Sequence, residues 1–411
     1  MKKISGLKRL VKGVNQTVLA ISFARFTDAL GNSLIYVLLP IYIASMPSPR
    51  VSWPEPVLVS VVIALYGLVN TILQPFIGVI TDRIPSRKPI ITIGLFLMAV
   101  GTLAFVFSNR YSNLLLIRSL QGVGVALTVP ASLTLINTAT EKETRGRAMG
   151  FYSTLRLIGF AIGPLVGGFI LTRVGFNTAF YVGAGVIFLG TILVQLLVHE
   201  EPVSKLDTPL AKANFFDARV WDRNMVSLAA ALFMMASSYS MMGALENEFN
   251  ARLQQTALGF GIAFSALTVS RMIVQTPVGY LSDKIGRKPL IIIGMISMAP
   301  TTILLGYVGT TLQLTGARAL QGITSAAIAS PALALAGDLT TKDVEGRQMS
   351  IVTMGFFLGI TIGPLIAGFL TRYAFALPFY IGAVMLIIGA FIVYRFVPDS
   401  IRSSDIEQPM L

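Results

Sequence analysis

A series of twelve apolar stretches, each long enough to cross a bilayer, constrains this chain more than any other feature. A spanning helix needs about 20 mostly apolar residues. Such stretches fall at 15–45, 57–80, 90–108, 113–138, 148–172, 178–198, 224–249, 257–281, 290–307, 312–338, 348–372 and 377–396. From Val61 to Phe76 no charge occurs, and the next is Asp82. The composition agrees: 54% of the 411 residues are hydrophobic and 12% charged, about half the charged share of a soluble domain. Too little polar sequence remains to cover the two or three soluble domains such a length would otherwise form. An ordinary soluble enzyme, a disordered chain and a nucleic-acid-binding domain are excluded. The expected class is an all-α membrane protein with twelve transmembrane helices, because helices satisfy their own backbone groups in lipid. The first stretch is too long for a signal-peptide core and no small-residue cleavage site follows it, so it is expected to be retained.

Charge placement orients the chain. With the N-terminus in the cytoplasm, loops on that side carry 22 Lys and Arg and the opposite loops 5. The positive-inside bias predicts that both termini are cytoplasmic. It also explains the net charge of +13 as topology signal and contact with the lipid bilayer rather than nucleic-acid binding. The short loops point to a plasma membrane, specifically a prokaryotic inner membrane.

The chain repeats itself at an offset of about 200 residues. Gly78-x-x-x-Asp82-Arg83 matches Gly279-x-x-x-Asp283-Lys284, and Arg118-x-x-Gln121-Gly122 matches Arg318-x-x-Gln321-Gly322. Glu143-x-x-x-Arg147 matches Asp343-x-x-x-Arg347, and Gly163-Pro164 with Gly168-Phe169 matches Gly363-Pro364 with Gly368-Phe369. Two six-helix, pseudo-symmetric bundles in one orientation are therefore expected, at 1–198 and 224–411, joined by a polar cytoplasmic linker at 199–223. Parallel repeats of this kind place a substrate site near the bilayer midplane between the halves. One chain holds both halves of such a site, so a monomer is expected.

Cysteine is absent and His199 is the sole histidine, which leaves no disulfide, thiolate nucleophile or histidine metal cluster. His199 reads as an interfacial surface residue. No phosphate-cradling glycine loop and no catalytic set occurs, so no enzyme activity, metal or cofactor is expected and ATP is not the energy source. Charges inside the spans are the informative residues. Arg25, Arg118, Arg156, Arg271 and Arg318 would each cost about 2.5–3.5 kcal/mol in lipid, roughly 12–18 kcal/mol together, more than the stability of a typical fold. They must face a cavity or partners, and a buried ion pair is the structural alternative for any one of them. Asp28 sits about 14 residues, or roughly 21 Å, into the first helix, with Arg25 one turn earlier. It is either a fixed partner of Arg25 or a carboxylate that exchanges a proton with substrate. Near the end of the seventh stretch, Glu246 faces either the cavity or the water interface. Tyr239, among several methionines, offers either an adaptable binding surface or gap-filling packing.

Four motifs carry a resemblance to a known family. The loop Gly78-x-x-x-Asp82-Arg83-Ile-Pro-Ser-Arg87-Lys88 has a second copy, Gly279-x-x-x-Asp283-Lys284-Ile-Gly286-Arg287-Lys288, from which Pro85-Ser86 of the first copy departs. A carboxylate there can face a neighbouring helix N-terminus, favourable by about 0.3–1 kcal/mol. The second motif is Arg118-Ser-Leu-Gln121-Gly122-Val-Gly124. The third is Gly150-x8-Gly159-x3-Gly163-Pro164-x2-Gly167-Gly168, a groove of glycines that lets helices pack closely around a proline that removes one backbone hydrogen bond. The fourth is Asp28-Ala-Leu-Gly31 followed by Leu39-Pro40. Over essentially its whole length the chain resembles the major facilitator superfamily, and within it the twelve-span drug–proton antiporters.

That resemblance implies a fold and a set of roles. Spans 1, 4, 7 and 10 would line a central cavity holding Arg25, Asp28, Arg118, Arg318, Glu246 and Tyr239. Asp28 would carry the proton and meet the cation, with Arg118 as its coupling partner. Gly150, Gly159, Gly163, Pro164, Gly167 and Gly168 would form the antiporter hinge. Gly78, Asp82, Arg83, Arg87 and Arg147, with Gly279, Asp283, Lys284, Arg287 and Arg347, would form a latch made in one access state and broken in the other. The expected function is proton-coupled efflux of small lipophilic or cationic compounds by alternating access. Two alternatives stand beside it. One is a carrier of organic anions or phosphate esters that uses the arginines as a clamp. The other is a non-transporting membrane receptor on the same fold.

Overall fold

The computed structural model describes residues 15–46, 52–200, 221–340 and 344–398, and no strand occurs among them. Among the described residues there are twelve long helices: α1 (Gln16–Ala44), α2 (Glu55–Arg83), α3 (Lys88–Ala104), α4 (Tyr111–Thr138), α5 (Lys142–Arg173), α6 (Phe176–Leu197), α7 (Arg223–Ser240), α8 (Ala257–Ile285), α9 (Arg287–Leu304), α10 (Thr311–Leu339), α11 (Glu345–Thr371) and α12 (Leu377–Phe396). Eleven of them are long and apolar enough to cross a membrane. The twelfth expected span is α9, an 18-residue helix that opens on Arg287-Lys288-Pro289 and holds Pro300.

Local chemistry sets the helix ends. Asn15 caps α1 by accepting the N–H of Val18 at 2.8 Å, and Asp222 caps α7 through Asn224 at 2.9 Å. Each cap satisfies a donor that the first turn leaves unpaired. Pro56, Pro89 and Pro378 stand in the first turns of α2, α3 and α12, where a missing N–H costs nothing. The two copies of the loop motif turn differently. Gly286, at φ +97°, joins α8 to α9 alone, a conformation open to glycine. With Pro85-Ser86 in its place, the α2–α3 connection takes residues 84–87 and leaves α2 through an extended Ile84.

One span differs from expectation. The seventh was expected to run to 249, but α7 stops at Ser240 and passes through a 3-10 turn, Met241–Ala244, into a separate short helix, Glu246–Leu253. Gly243 and the polar run Glu246-Asn247-Glu248 favour a break over a continuous apolar helix.

Contacts gather the chain into two units. The first comprises Met1–Glu55, Leu65–Pro209 and Glu246–Ser265. Within it α1 packs on α5 and α6, and α3 packs on α4 and α6, around a core that includes Ile21, Ile91, Leu135, Tyr152 and Val194. The second comprises Pro56–Ala64, Leu210–Leu245 and Ala266–Leu411. There α7 packs on α11 and α12, and α9 on α10 and α12, around Leu232, Met235, Met295, Ala332 and Leu386. The same pairings recur in both, as the repeat implies. Residues 201–220 of the expected linker lie outside the described residues.

Small residues bring the paired helices together. Ser33 on α1 donates to the carbonyl of Gly159 on α5 at 3.3 Å, and Ser240 on α7 donates to that of Gly359 on α11 at 3.2 Å. A Cβ on Gly159 would collide with the carbonyl of Phe26, and one on Gly359 with that of Phe233. These contacts put α1 and α7 in register: Ser33 answers to Ser240, and so Asn32 to Tyr239.

Candidate functional site

In the first unit the polar face of α1 carries Arg25, Asp28, Asn32 and Tyr36, spaced three or four residues apart and so on one side of a helix. Asp28 is 2% exposed. Its Oδ2 pairs with Arg25 Nη1, and among the described residues its Oδ1 accepts no hydrogen bond. Arg156 on α5 lies within electrostatic reach of the same carboxylate, and Tyr66 and Tyr152 within reach of Arg25.

Arg118 on α4 is fully buried. Its Nη1 donates to Asn32 Oδ1 at 3.2 Å and to Gln121 Oε1 at 3.1 Å, and its guanidinium lies over the Tyr66 ring at 4.6 Å and near that of Tyr36 at 5.9 Å. Gln121 in turn donates to Thr102 Oγ1 on α3 at 3.0 Å. Arg118 therefore meets α1 at Asn32, one turn beyond Asp28. The carboxylate bonds instead to Arg25.

The second unit repeats this clamp. Arg318 on α10, 1% exposed, donates from Nη1 to Gln321 Oε1 at 2.6 Å, and Gln321 donates to Thr302 Oγ1 on α9 at 3.1 Å. Its further bond, at 2.9 Å, goes to the backbone carbonyl of Tyr239 on α7, the register position of Asn32. Both arginines are aimed by a glutamine one turn away, itself held by a threonine of the preceding helix. The first half offers its arginine a side chain on the opening helix, the second a carbonyl. Arg271 on α8 lies 5.7 Å from the ring of Phe356 on α11.

Glu246 is fully buried in the first unit, not at a water interface. Asn250 donates to its Oε1 at 3.4 Å. Next to it, Asn247 donates to the carbonyl of Pro40 at 2.8 Å and to Glu55 Oε1. Pro40 is about 18 Å along α1 from Asp28, so Glu246 and Asp28 stand at different levels. Tyr36 stacks on Phe264 of α8 at 5.8 Å, and Phe160, Phe260 and Phe249 continue the aromatic cluster.

The hinge residues divide by environment. Gly159, Gly163 and Gly167 face α1, while Gly168 faces Ala257 and Leu258 of α8, 2.6 Å from a hypothetical Cβ to the nearer carbonyl. A Cβ on Gly261 of α8 would in turn strike the carbonyl of Pro164. Gly150 has open space around it. Of the latch residues, Arg287 pairs with Asp338 at 3.0 Å and with Asp283 at 3.6 Å, and Lys284 sits over the Tyr280 ring at 4.6 Å. Gly78 has open space, and Gly279 would meet only Ser330. Arg147 is exposed and Arg347 half-buried. The side chains of Asp82 and Arg83 lie outside the described part. Arg87 is 3% exposed and pairs with Glu200, just past α6.

Sequence reasoning missed Glu200, Asn32, Thr102 and the three tyrosines. Glu200 had no motif to mark it. The matched spacing of Thr102 and Thr302, each 19 residues before its glutamine, was a signal that could have found them.

Comparisons with known proteins follow the same lines. The family model described as Major Facilitator Superfamily matches residues 21–245 and again 225–410. The chain is 27% identical over 351 residues to the multi-drug resistance efflux pump PmrA of Streptococcus pneumoniae, covering 84% of this chain and 86% of that one. It is 28% identical over 330 residues to the synaptic vesicular amine transporter of Homo sapiens, covering 77% of this chain and 62% of that protein's length. Among solved structures it resembles a bacterial homolog of the human lysosomal transporter Spinster (TM-score 0.75, 14% identity, 92% of this chain and 95% of that one). It also resembles the nucleoside transporter NupG (TM-score 0.75, 14% identity, 92% and 99%). At such identity these two likenesses concern the fold alone.

Proposed function

Because the chain belongs to the Major Facilitator Superfamily, we propose that this transporter exports small lipophilic or cationic compounds in exchange for protons, by alternating access across a prokaryotic inner membrane with both termini cytoplasmic. The observation that carries the proposal is the carboxylate of Asp28, buried in mid-helix with one oxygen on Arg25 and the other without a hydrogen bond among the described residues. A buried carboxylate with an open oxygen is a place for a proton or for the ammonium of a substrate. Arg25 is the competing cation: when the proton or the substrate arrives, the Arg25–Asp28 pair weakens. Arg118 acts through Asn32, one turn away, so that a change in the charge of Asp28 reaches the α4 clamp along α1. The efflux pump and amine transporter among the relatives support substrates of this class. Gly168 against the backbone of Ala257 and Leu258, and Gly261 against that of Pro164, supply the seam that closes against proton leak, and the Arg87 and Arg287 loops supply the latch.

The test is proton flux in energised inverted vesicles challenged with lipophilic cations, neutral drugs and organic anions. Proton release on adding cations, abolished in folded Asp28→Asn, is the expected result. Normal efflux in that variant removes Asp28 from the mechanism. A second reading, a carrier of organic anions, is favoured by one observation: two arginines, Arg25 and Arg156, act on Asp28, and a third, Arg118, bonds to Asn32 one turn further along α1. A response to anions alone, weakened in Arg318→Ala, would move the function there.

A further inference from the structure

The second unit carries a basic and aromatic cluster that has no counterpart among the described residues of the first. At the start of α7, the Arg223 guanidinium lies 4.4 Å from the centroid of the Phe396 ring, which ends α12, and the Arg395 guanidinium lies 5.7 Å from the same centroid. One residue earlier, Tyr394 has Lys288 of α9 over its ring at 5.7 Å. Arg223, Tyr394, Arg395 and Phe396 are all exposed. Among the described residues, the adjacent carboxylate, Asp222, is occupied as the α7 cap, and neither Arg223 nor Arg395 belongs to an ion pair.

The repeat provides an internal control. Arg223 is the first residue of α7, and its counterpart, the first residue of α1, is Gln16. The last three residues of α12 are Tyr394-Arg395-Phe396, and those of α6 are Gln195-Leu196-Leu197. The same helix ends form in the first half with Gln16 and Gln195-Leu196-Leu197 in these places, so the helix ends themselves do not require the cluster. Two guanidinium groups on one ring repel each other unless an anion lies between them. Guanidinium forks bind phosphate in a bidentate manner, and aromatic residues settle at the headgroup level of a bilayer. Running away from the cluster, α12 exposes Phe391, Ile387 and Val384, an apolar strip suited to acyl chains.

We infer that Arg223 and Arg395, on either side of Phe396, bind the headgroup of an anionic phospholipid whose chains lie along α12. The site is distinct from the clamps on α4 and α10 and does not depend on the substrate.

The test uses the full chain in detergent, relipidated with phosphatidylglycerol or phosphatidylcholine and followed by native mass spectrometry and thermal unfolding. Phosphatidylglycerol should bind preferentially and raise the melting temperature. The variant Arg223→Gln/Arg395→Gln, which copies the polarity of the first half, should fold normally and lose affinity for phosphatidylglycerol about 25-fold, at about fivefold per charge. Arg110→Gln, at the start of α4, should not change it. Equal binding of phosphatidylcholine, undiminished phosphatidylglycerol binding by the double variant, or an equal loss in Arg110→Gln would each overturn the inference. Displacement of the lipid by millimolar inorganic phosphate would also overturn it, because the site would then take a free anion.

Discussion

Glu200 holds Arg87 by both backbone and side chain. Its Oε2 accepts the N–H of Arg87 at 2.6 Å, the N–H of Lys88 at 2.8 Å and the hydroxyl of Ser86 at 2.8 Å, and its Oε1 lies 3.7 Å from the Arg87 guanidinium. The side chains are 4% and 5% exposed. One carboxylate thus closes the N-terminus of α3, and Lys88 completes the tie by donating to the carbonyls of Gln195 and Val198 at the end of α6. In the second half Arg287 turns to Asp338 instead.

Removing this carboxylate leaves a buried guanidinium and two helix N–H groups without their acceptor. Glu200→Ala should lower stability by about 3 kcal/mol, read as thermal unfolding of the purified protein. Glu200→Gln keeps an acceptor oxygen and should lose less. An unchanged melting temperature in the alanine variant would show that the contact contributes nothing.

The Arg118 clamp predicts coupling between helices. Gln121→Leu and Thr102→Val should each destabilise by about 1 kcal/mol, and the double variant should cost less than their sum because both lose one shared bond. Gln321→Leu with Thr302→Val should behave alike. Strict additivity in both halves would mean that glutamine and threonine do not act together.

Two glycines on neighbouring helices make opposite predictions. Gly168→Val drives a side chain into the backbone of Ala257 and Leu258 and should cost about 1–3 kcal/mol, together with loss of transport. Gly185 on α6 has open space, and Gly185→Ala should stabilise by up to about 1 kcal/mol through helix propensity. Melting temperatures of the two variants that move together would refute the packing argument.

Glu248, in the short helix between α7 and α8, has its carboxyl pushed up to about 7 by burial, with Glu55 adding to the rise and Arg252 opposing it. The folded protein therefore keeps a proton that the unfolded chain sheds near the ordinary 4.5. The stability this group adds is full below about 4.5 and is lost as the pH rises through 7. A carboxyl infrared band titrating near 7, absent in Glu248→Gln, is the expected signature. The variant should also flatten the fall in melting temperature between those two values.

The span pattern, the internal repeat and the buried arginines were legible in the sequence because each follows from one local rule: apolar length, matched spacing, or the cost of a charge in lipid. Arg118 and Arg318 were placed correctly within their spans, and Gln121 and the repeated spacing of Thr102 stood in the sequence, but that these residues pair with one another was not readable. Asn32, Gln121 and Thr102 stand on three helices, and only packing brings them together. The seventh span was drawn too long because apolar composition continues through Met241–Ala244 while the backbone changes its winding. For Glu246 the sequence left cavity and water interface open, because its burial at 0% exposure depends on neighbours far away in sequence.

The two arginine clamps differ in how they tolerate inherited change. The bond from Arg318 to position 239 ends on a carbonyl, which every amino acid carries, so residue 239 is free to vary under selection without loosening the clamp. The bond from Arg118 to position 32 ends on a side chain, and most single-nucleotide changes there delete it. Variants that alter what this transporter does are therefore expected to accumulate at 239, and those that abolish it at 32.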